Sequence, residues 1–166
     1  MVHALRRLSP ASLEAALAKA EHYRDLNQPE EAESICRDVL DVDEASQRAW
    51  KLLGLALTDR FPSREVGLFE QAVVAFEHLT DEYERVYHLG VAWERSAKAH
   101  LEHDEAHSAV TAFEHALGLF DQAHALRPAV PDAVLRWNRC VRLLEGHPAL
   151  RTAAGAPRER HVHLGD

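Results

Sequence analysis

The chain has 166 residues, 27 acidic against 19 basic, a formal charge of −8 and 46% apolar residues, which is one domain's worth of slightly acidic globular protein. No apolar run approaches the roughly 18–20 residues that a bilayer span needs, no secretory signal is readable at the start, and an acidic balance without a basic block disfavours nucleic acid. The 27 Ala and 22 Leu outweigh 13 Val, 1 Ile and 4 Thr by more than two to one, so an all-α chain is expected. Cys36 and Cys140 lie in apolar helical patterns without metal or redox spacing. They read as reduced core thiols, which points to a cytoplasmic setting.

In chain order, residues 1–8 read as an N-terminal extension, and Ser9-Pro10 as a helix start with the proline where its missing N–H costs nothing. Leu13, Ala16, Leu17, Ala20 and Tyr23 then recur at helical spacing until Asn27-Gln28 breaks the pattern. Pro29 opens a second helix with Ala32, Ile35, Cys36, Val39 and Leu40 on one face. A third run carries Ala49, Trp50, Leu53, Gly54 and Leu57 and stops at Phe61-Pro62, and a fourth carries Phe69, Ala72, Val73, Phe76 and Leu79. Two longer helices are predicted next, from Tyr83 to about Leu101 and from near Glu105 to Leu126. Pro128 and Pro131 precede a last helix with Val134, Trp137, Val141 and Leu144. The helical domain is thus placed at residues 9–145, and 146–166, small and broken by Gly and Pro, is expected to be a flexible tail.

The helices pair. Ala20, Gly54, Gly90 and Asn138 hold the same place in successive first helices, and Ala32, Ala72 and Ala116 are each followed four residues on by Cys36, Phe76 and Phe120. This register resembles the tetratricopeptide repeat family, whose Trp, Leu-Gly, Tyr, then Ala, Phe, Ala and Pro pattern recurs over about 34 residues. Ala49 to Leu57 matches it best, and the resemblance covers about residues 12–145. It implies a right-handed α-solenoid of about three antiparallel helix pairs plus a capping helix.

The departures carry information. About six extra residues fall between the helices of the second pair, around Arg60 to Arg64. The Gly90 to Ala116 interval exceeds the Ala20 to Ala32 interval by 14 residues, close to two extra turns on each helix of the third pair. That pair is expected to protrude beyond the stack, with Leu101, Val110 and Phe113 packed in the extension.

The resemblance implies a concave face lined by first helices. Its inward residues would be Glu14, Leu17, Glu21, Arg24 and Asp25, then Arg48, Lys51, Leu55 and Asp59. Glu84, Tyr87, Val91, Glu94 and Arg95 follow, with Arg139 and Arg142 on the last helix, where Arg136 also contributes to a polar cap. Mixed charges around apolar spots suit an extended or helical peptide. Family members that grip the acidic C-terminus of heat-shock chaperones use a cationic carboxylate clamp. The matching places here hold Leu17, Glu21, Leu52, Glu84 and His88, which disfavours that function.

Among the 12 histidines, His100, His103 and His107 fall nominally on one helix face and would suit Zn or Ni if they converged. Asp104-Glu105 reads as a turn between them, so solvated histidines are the favoured reading, and no cofactor is expected. His161 and His163 offer only adventitious chelation. A Gly-rich phosphate loop, a nucleophile elbow and interpretable catalytic sets are all missing. The expectation is a non-enzymatic adaptor that binds a protein or peptide, with no membrane or nucleic-acid partner. The alternatives are a homo-oligomer assembled through the long third pair and, behind it, a His-rich metal binder.

Overall fold

A computed structural model of the protein describes residues 3–155 and is all-helical over that span. The helices are α1 (Leu13–Asp25), α2 (Pro29–Val42), α3 (Gln47–Asp59), α4 (Leu68–Glu77), α5 (Glu82–Glu102), α6 (Ala106–Leu126), α7 (Asp132–Gly146) and α8 (Pro148–Gly155). They pack as consecutive antiparallel pairs, α1 on α2, α3 on α4 and α5 on α6, with each new first helix laid against the preceding pair. The architecture is a helical-repeat α-solenoid.

Local signals set the ends. The Ser46 hydroxyl accepts from the Ala49 N–H at 3.3 Å and the Asp81 carboxylate from the Glu84 N–H at 2.9 Å, capping α3 and α5. Ser9 makes no such side-chain bond, and Pro10–Ser12 is a 3-10 turn that leads into α1. Asn27 and Asp104 turn the chain inside the first and third pairs at φ 58° and 61°, a left-handed conformation that these two residue types tolerate best.

The repeat register has a steric cause. A Cβ placed on Gly54 would stand 2.3 Å from Cε1 of Phe76, and one on Gly90 would stand 2.7 Å from Cε1 of Phe120. Each ring fills the space its glycine leaves, and both rings are fully buried, worth about 1.5–3 kcal/mol apiece. The first pair solves the same problem at smaller scale, with Ala20 and Cys36 buried at the matching places. Apolar side chains of α1–α4, joined by Ala92 of α5, form one core cluster and those of α5–α8 a second, and Leu55 packs against both.

The third pair is the longest, 21 residues in each helix against 13 and 14 in the first. Val110 and Phe113 are buried in its extension, and Leu101 packs against them. The extension does not project freely, because the inserted residues of the second pair lie against it. Phe61–Ser63 form a 3-10 turn that contacts α5, Phe61 sits 5.9 Å from the Phe69 ring, and Phe69 meets Trp93 edge-on at 4.7 Å. Arg64 pairs with Glu105 across the same seam. Two irregularities of the sequence thus meet in space and cover one another.

The expected tail departs from 146–166 at its start. Residues 148–155 form α8, with Leu150 and Ala153 buried against α6 and α7. Pro148 opens this helix and the two apolar residues fall three apart, so even this short segment has a face to bury. Residues 1–2 and 156–166, with His161 and His163, lie outside the described residues. Among the described residues, no helix is long and apolar enough to cross a membrane.

Candidate partner-binding face

The first helices α1, α3, α5 and α7 present one wall, and ion pairs run along it from each helix to the next. In an outer tier, Arg48 of α3 reaches Glu14 and Glu21 of α1 at 2.8 Å each, and Lys51 meets Glu84 of α5 at 3.5 Å. In an inner tier, near the C-terminal ends of α1 and α3, Asp59 holds Arg24 of α1 at 2.8 Å on one oxygen and Arg95 of α5 on the other. Arg95 also donates to the Thr58 hydroxyl at 3.0 Å. Beyond it, Glu94 takes Lys98 of its own helix and Arg136 of α7, the latter at 2.7 Å. Arg136 donates further to the Tyr87 hydroxyl at 2.9 Å.

The wall therefore contains most of the expected residues, but much of their charge is spent laterally, stapling neighbouring first helices together. Leu17 and Val91 are corrections. Both are buried, 2% and 1% exposed, because at their positions the helix turns its apolar stripe into the stack, and neither faces a groove. Glu94 is on the wall but 1% exposed, enclosed by its two cations. Leu55 and Tyr87 are half-buried between the tiers, while Asp25, Arg139 and Arg142 are exposed.

The electrostatics differ between tiers. The Arg48 hydrogen bond holds the Glu21 carboxyl below its ordinary range. In the inner tier, burial first, then the nearby Arg24 and Arg136, push Arg95 down to about 10. Burial likewise lowers Arg24. At the clamp-like positions Leu17, Leu52 and His88 are buried, and Glu21 and Glu84 carry negative charge, so no cation stands there. The cations stand elsewhere on the first helices, Arg24 one turn after Glu21, Arg48 and Lys51 ahead of Leu52, and Arg95 two turns after His88.

An open pocket of about 310 Å³ lies at the inner tier, lined by Arg24 and Asn27 from α1 and the turn after it, Thr58, Asp59 and Pro62 from α3 and the turn after it, and Arg95, Lys98, Ala99 and Glu102 from α5. In the repeat register Asp25 and Asp59 end α1 and α3, and Arg95 stands at the corresponding place of α5. Lys98 and Glu102 therefore belong to the extra turns, which carry the α5 wall of the pocket beyond Arg95. Sequence reasoning ended the wall at Arg95 and missed Lys98. Its spacing of four residues from Glu94, within the extra length already counted, was the available signal.

The three candidate metal ligands do not share a face. His100 ends α5 and pairs with Glu105, His103 caps that helix, and the left-handed turn at Asp104 sends His107 onto α6. The helix ends between them, which the nominal spacing ignored. Among the described residues no group of three His, Cys, Asp or Glu side chains is placed to hold a metal ion. Cys36 and Cys140 are free thiols, and burial pushes each up to about 12.

No protein-family model matches the chain, and no curated protein matches its sequence. Among solved structures it is similar to PcrH from Pseudomonas aeruginosa. The likeness has a TM-score of 0.50 and 21% sequence identity, and covers 92% of this chain and 99% of that one. At that identity it speaks for the helical-repeat fold alone.

Proposed function

We propose that the protein is a tetratricopeptide-type, non-enzymatic adaptor whose first-helix wall binds a peptide segment of a protein partner. The observation that carries this reading is the half-buried pair Leu55 and Tyr87, each partly open to solvent between two tiers of ion pairs that fix four first helices relative to one another. A wall braced in that way loses little conformational freedom on binding, which favours affinity. Its apolar centre and charged margins give a peptide both an anchor and an orientation. The buried, unpaired thiols fit the cytoplasmic setting inferred from sequence.

Selection of peptides from a random library displaying chains of about 12 residues, enough to cross several first helices in extended form, followed by amide chemical-shift mapping of the tightest binder, tests the reading. Shifts concentrated on α1, α3, α5 and α7 around Leu55 and Tyr87 are expected. Shifts concentrated on α2, α4 and α6, or no selected binder, would overturn it. Assembly through the long third pair has less in its favour: the large exposed apolar side chains identified among the described residues, such as Val66, Val134 and Leu135, lie outside its extra turns.

A further inference from the structure

The inner tier is short of negative charge. Four cations, Arg24, Arg95, Lys98 and Arg136, share two carboxylates, Asp59 and Glu94. The C-terminal ends of α1 and α3 add about half a negative charge each, so among the ion-paired groups of this tier the cations stay in excess. Two further carboxylates stand in solvent beside this tier: Asp25, whose charge acts on Arg24, and Glu102, which lines the pocket itself. The outer tier is the reverse, with Glu14, Glu21 and Glu84 against Arg48 and Lys51. The positive excess is also accessible, since Arg24, Arg95 and Lys98 all line the 310 Å³ pocket and Lys98 is 39% exposed. Burial and the neighbouring arginines already weigh on the Arg95 charge, the condition that a further anion relieves.

We propose, resting on the peptide-binding reading above, that this pocket receives an Asp or Glu side chain of the bound peptide on Arg24, Arg95 and Lys98. The wall runs on from the pocket to α7, so a chain lying along it passes the pocket rather than ending in it, which selects a side-chain carboxylate over a chain terminus. Arg24 and Arg95 each spend one face on Asp59 and keep further N–H groups for a second acceptor. Lys98, whose ammonium pairs with Glu94, brings a third cation to the α5 side of the pocket. The added turns of α5 thereby acquire a purpose, because they carry the lysine that closes the site.

Two independent measurements decide the matter. In the first, citrate is titrated into the full chain while the side-chain Nε–H signals of Arg24, Arg95 and Arg48 are followed by NMR. Saturable shifts of Arg24 and Arg95 that weaken at least threefold in Lys98→Gln, with Arg48 unmoved, are expected. No saturable shift, or equal response at Arg48, overturns the proposal whatever peptides do. In the second, a library-selected peptide with an amidated C-terminus is compared with copies in which each Asp or Glu becomes Asn or Gln.

One such change should weaken binding to the wild type about tenfold, the loss expected of a charge-assisted contact, and less than twofold to Lys98→Gln or Arg24→Gln. Insensitivity of the wild type to every acidic position overturns the pocket while leaving the groove. Absence of any peptide binder removes the groove reading, and the citrate titration then decides the pocket by itself.

Discussion

The two tiers of the first-helix wall use the same residue types and the same helix-to-helix pairing, yet they differ in depth and stoichiometry. In the outer tier the cation Arg48 is 37% exposed and faces two carboxylates, one of them 83% exposed. In the inner tier Glu94 is 1% exposed and serves two cations, and Asp59 serves two more. Charge at the surface mostly orients and solubilises, whereas charge drawn under the wall must be satisfied by its partners, because water no longer competes for it. A periodic list of charged positions along the helices cannot separate those roles. Burial separates them, and so does the surplus sign that burial leaves behind.

Glu94→Gln is the largest perturbation on which that distinction depends. It strands Arg136 and Lys98 around a neutral amide and removes the ion pair between α5 and α7, leaving the Arg136 hydrogen bond to Tyr87. Removing one member of a fully buried pair costs about 3–5 kcal/mol. Here the cations are themselves about a third exposed, so solvent screening reduces the expected loss to about 2 kcal/mol in urea unfolding, together with faster amide exchange in α7 and α8. A loss below about 0.5 kcal/mol would make the inner tier no different from a surface salt bridge.

Much of the fold was legible before any coordinates, and the reason is steric. The recurrence of Ala20, Gly54 and Gly90 against Cys36, Phe76 and Phe120 reports a close helix contact that tolerates few alternatives, so it survives in the sequence as a pattern. The 14-residue excess likewise mapped onto two 21-residue helices. The wall was legible only in outline. The repeat register places Leu17 and Val91 on the concave face, but the rotation of each helix in the stack decides which way a side chain points, and both are buried. Lys98 and α8 were missed for a different reason, since both depend on elements that depart from the repeat. The mutual covering of the Phe61 turn and the α5 extension is a long-range packing fact with no local signal.

His88 sharpens the comparison from within the outer tier, as a buried titratable group beneath it. Its Nδ1 lies 2.7 Å from the Glu84 carbonyl oxygen, and burial lowers its pKa below the ordinary histidine value despite the nearby Glu84 carboxylate. The unfolded chain therefore takes up this proton more readily than the folded one. The contribution of neutral His88 is present above the unfolded value of about 6.5 and is lost as pH falls through it toward the lower folded value. Urea unfolding at about pH 7.5, 6.5 and 5.5, a range that brackets the unfolded value, should show stability falling on acidification, with a smaller fall in His88→Gln. Parallel pH profiles for the two proteins would mean that exposed carboxylates, not the buried imidazole, set the dependence.

Arg48→Gln is expected to do least, and for that reason it is the sharpest control. Arg48 has the more favourable-looking geometry, with two 2.8 Å contacts that tie α3 to α1. Judged by distance alone it would rank beside Glu94. Its partners, however, stand in solvent that replaces the lost bonds at little cost, and holding three long side chains together carries an entropic cost that offsets the Coulomb gain. The expected loss is below about 0.5 kcal/mol at low salt and vanishes near 1 M salt, where charges are screened beyond about 3 Å. The Glu94→Gln loss should persist in that salt, since the carboxylate itself is shielded by protein. A salt-insensitive loss above about 1 kcal/mol at Arg48, beyond the range of exposed pairs, would mean that both tiers brace the solenoid equally, and that depth does not divide the charges that hold the wall from those left to meet a partner.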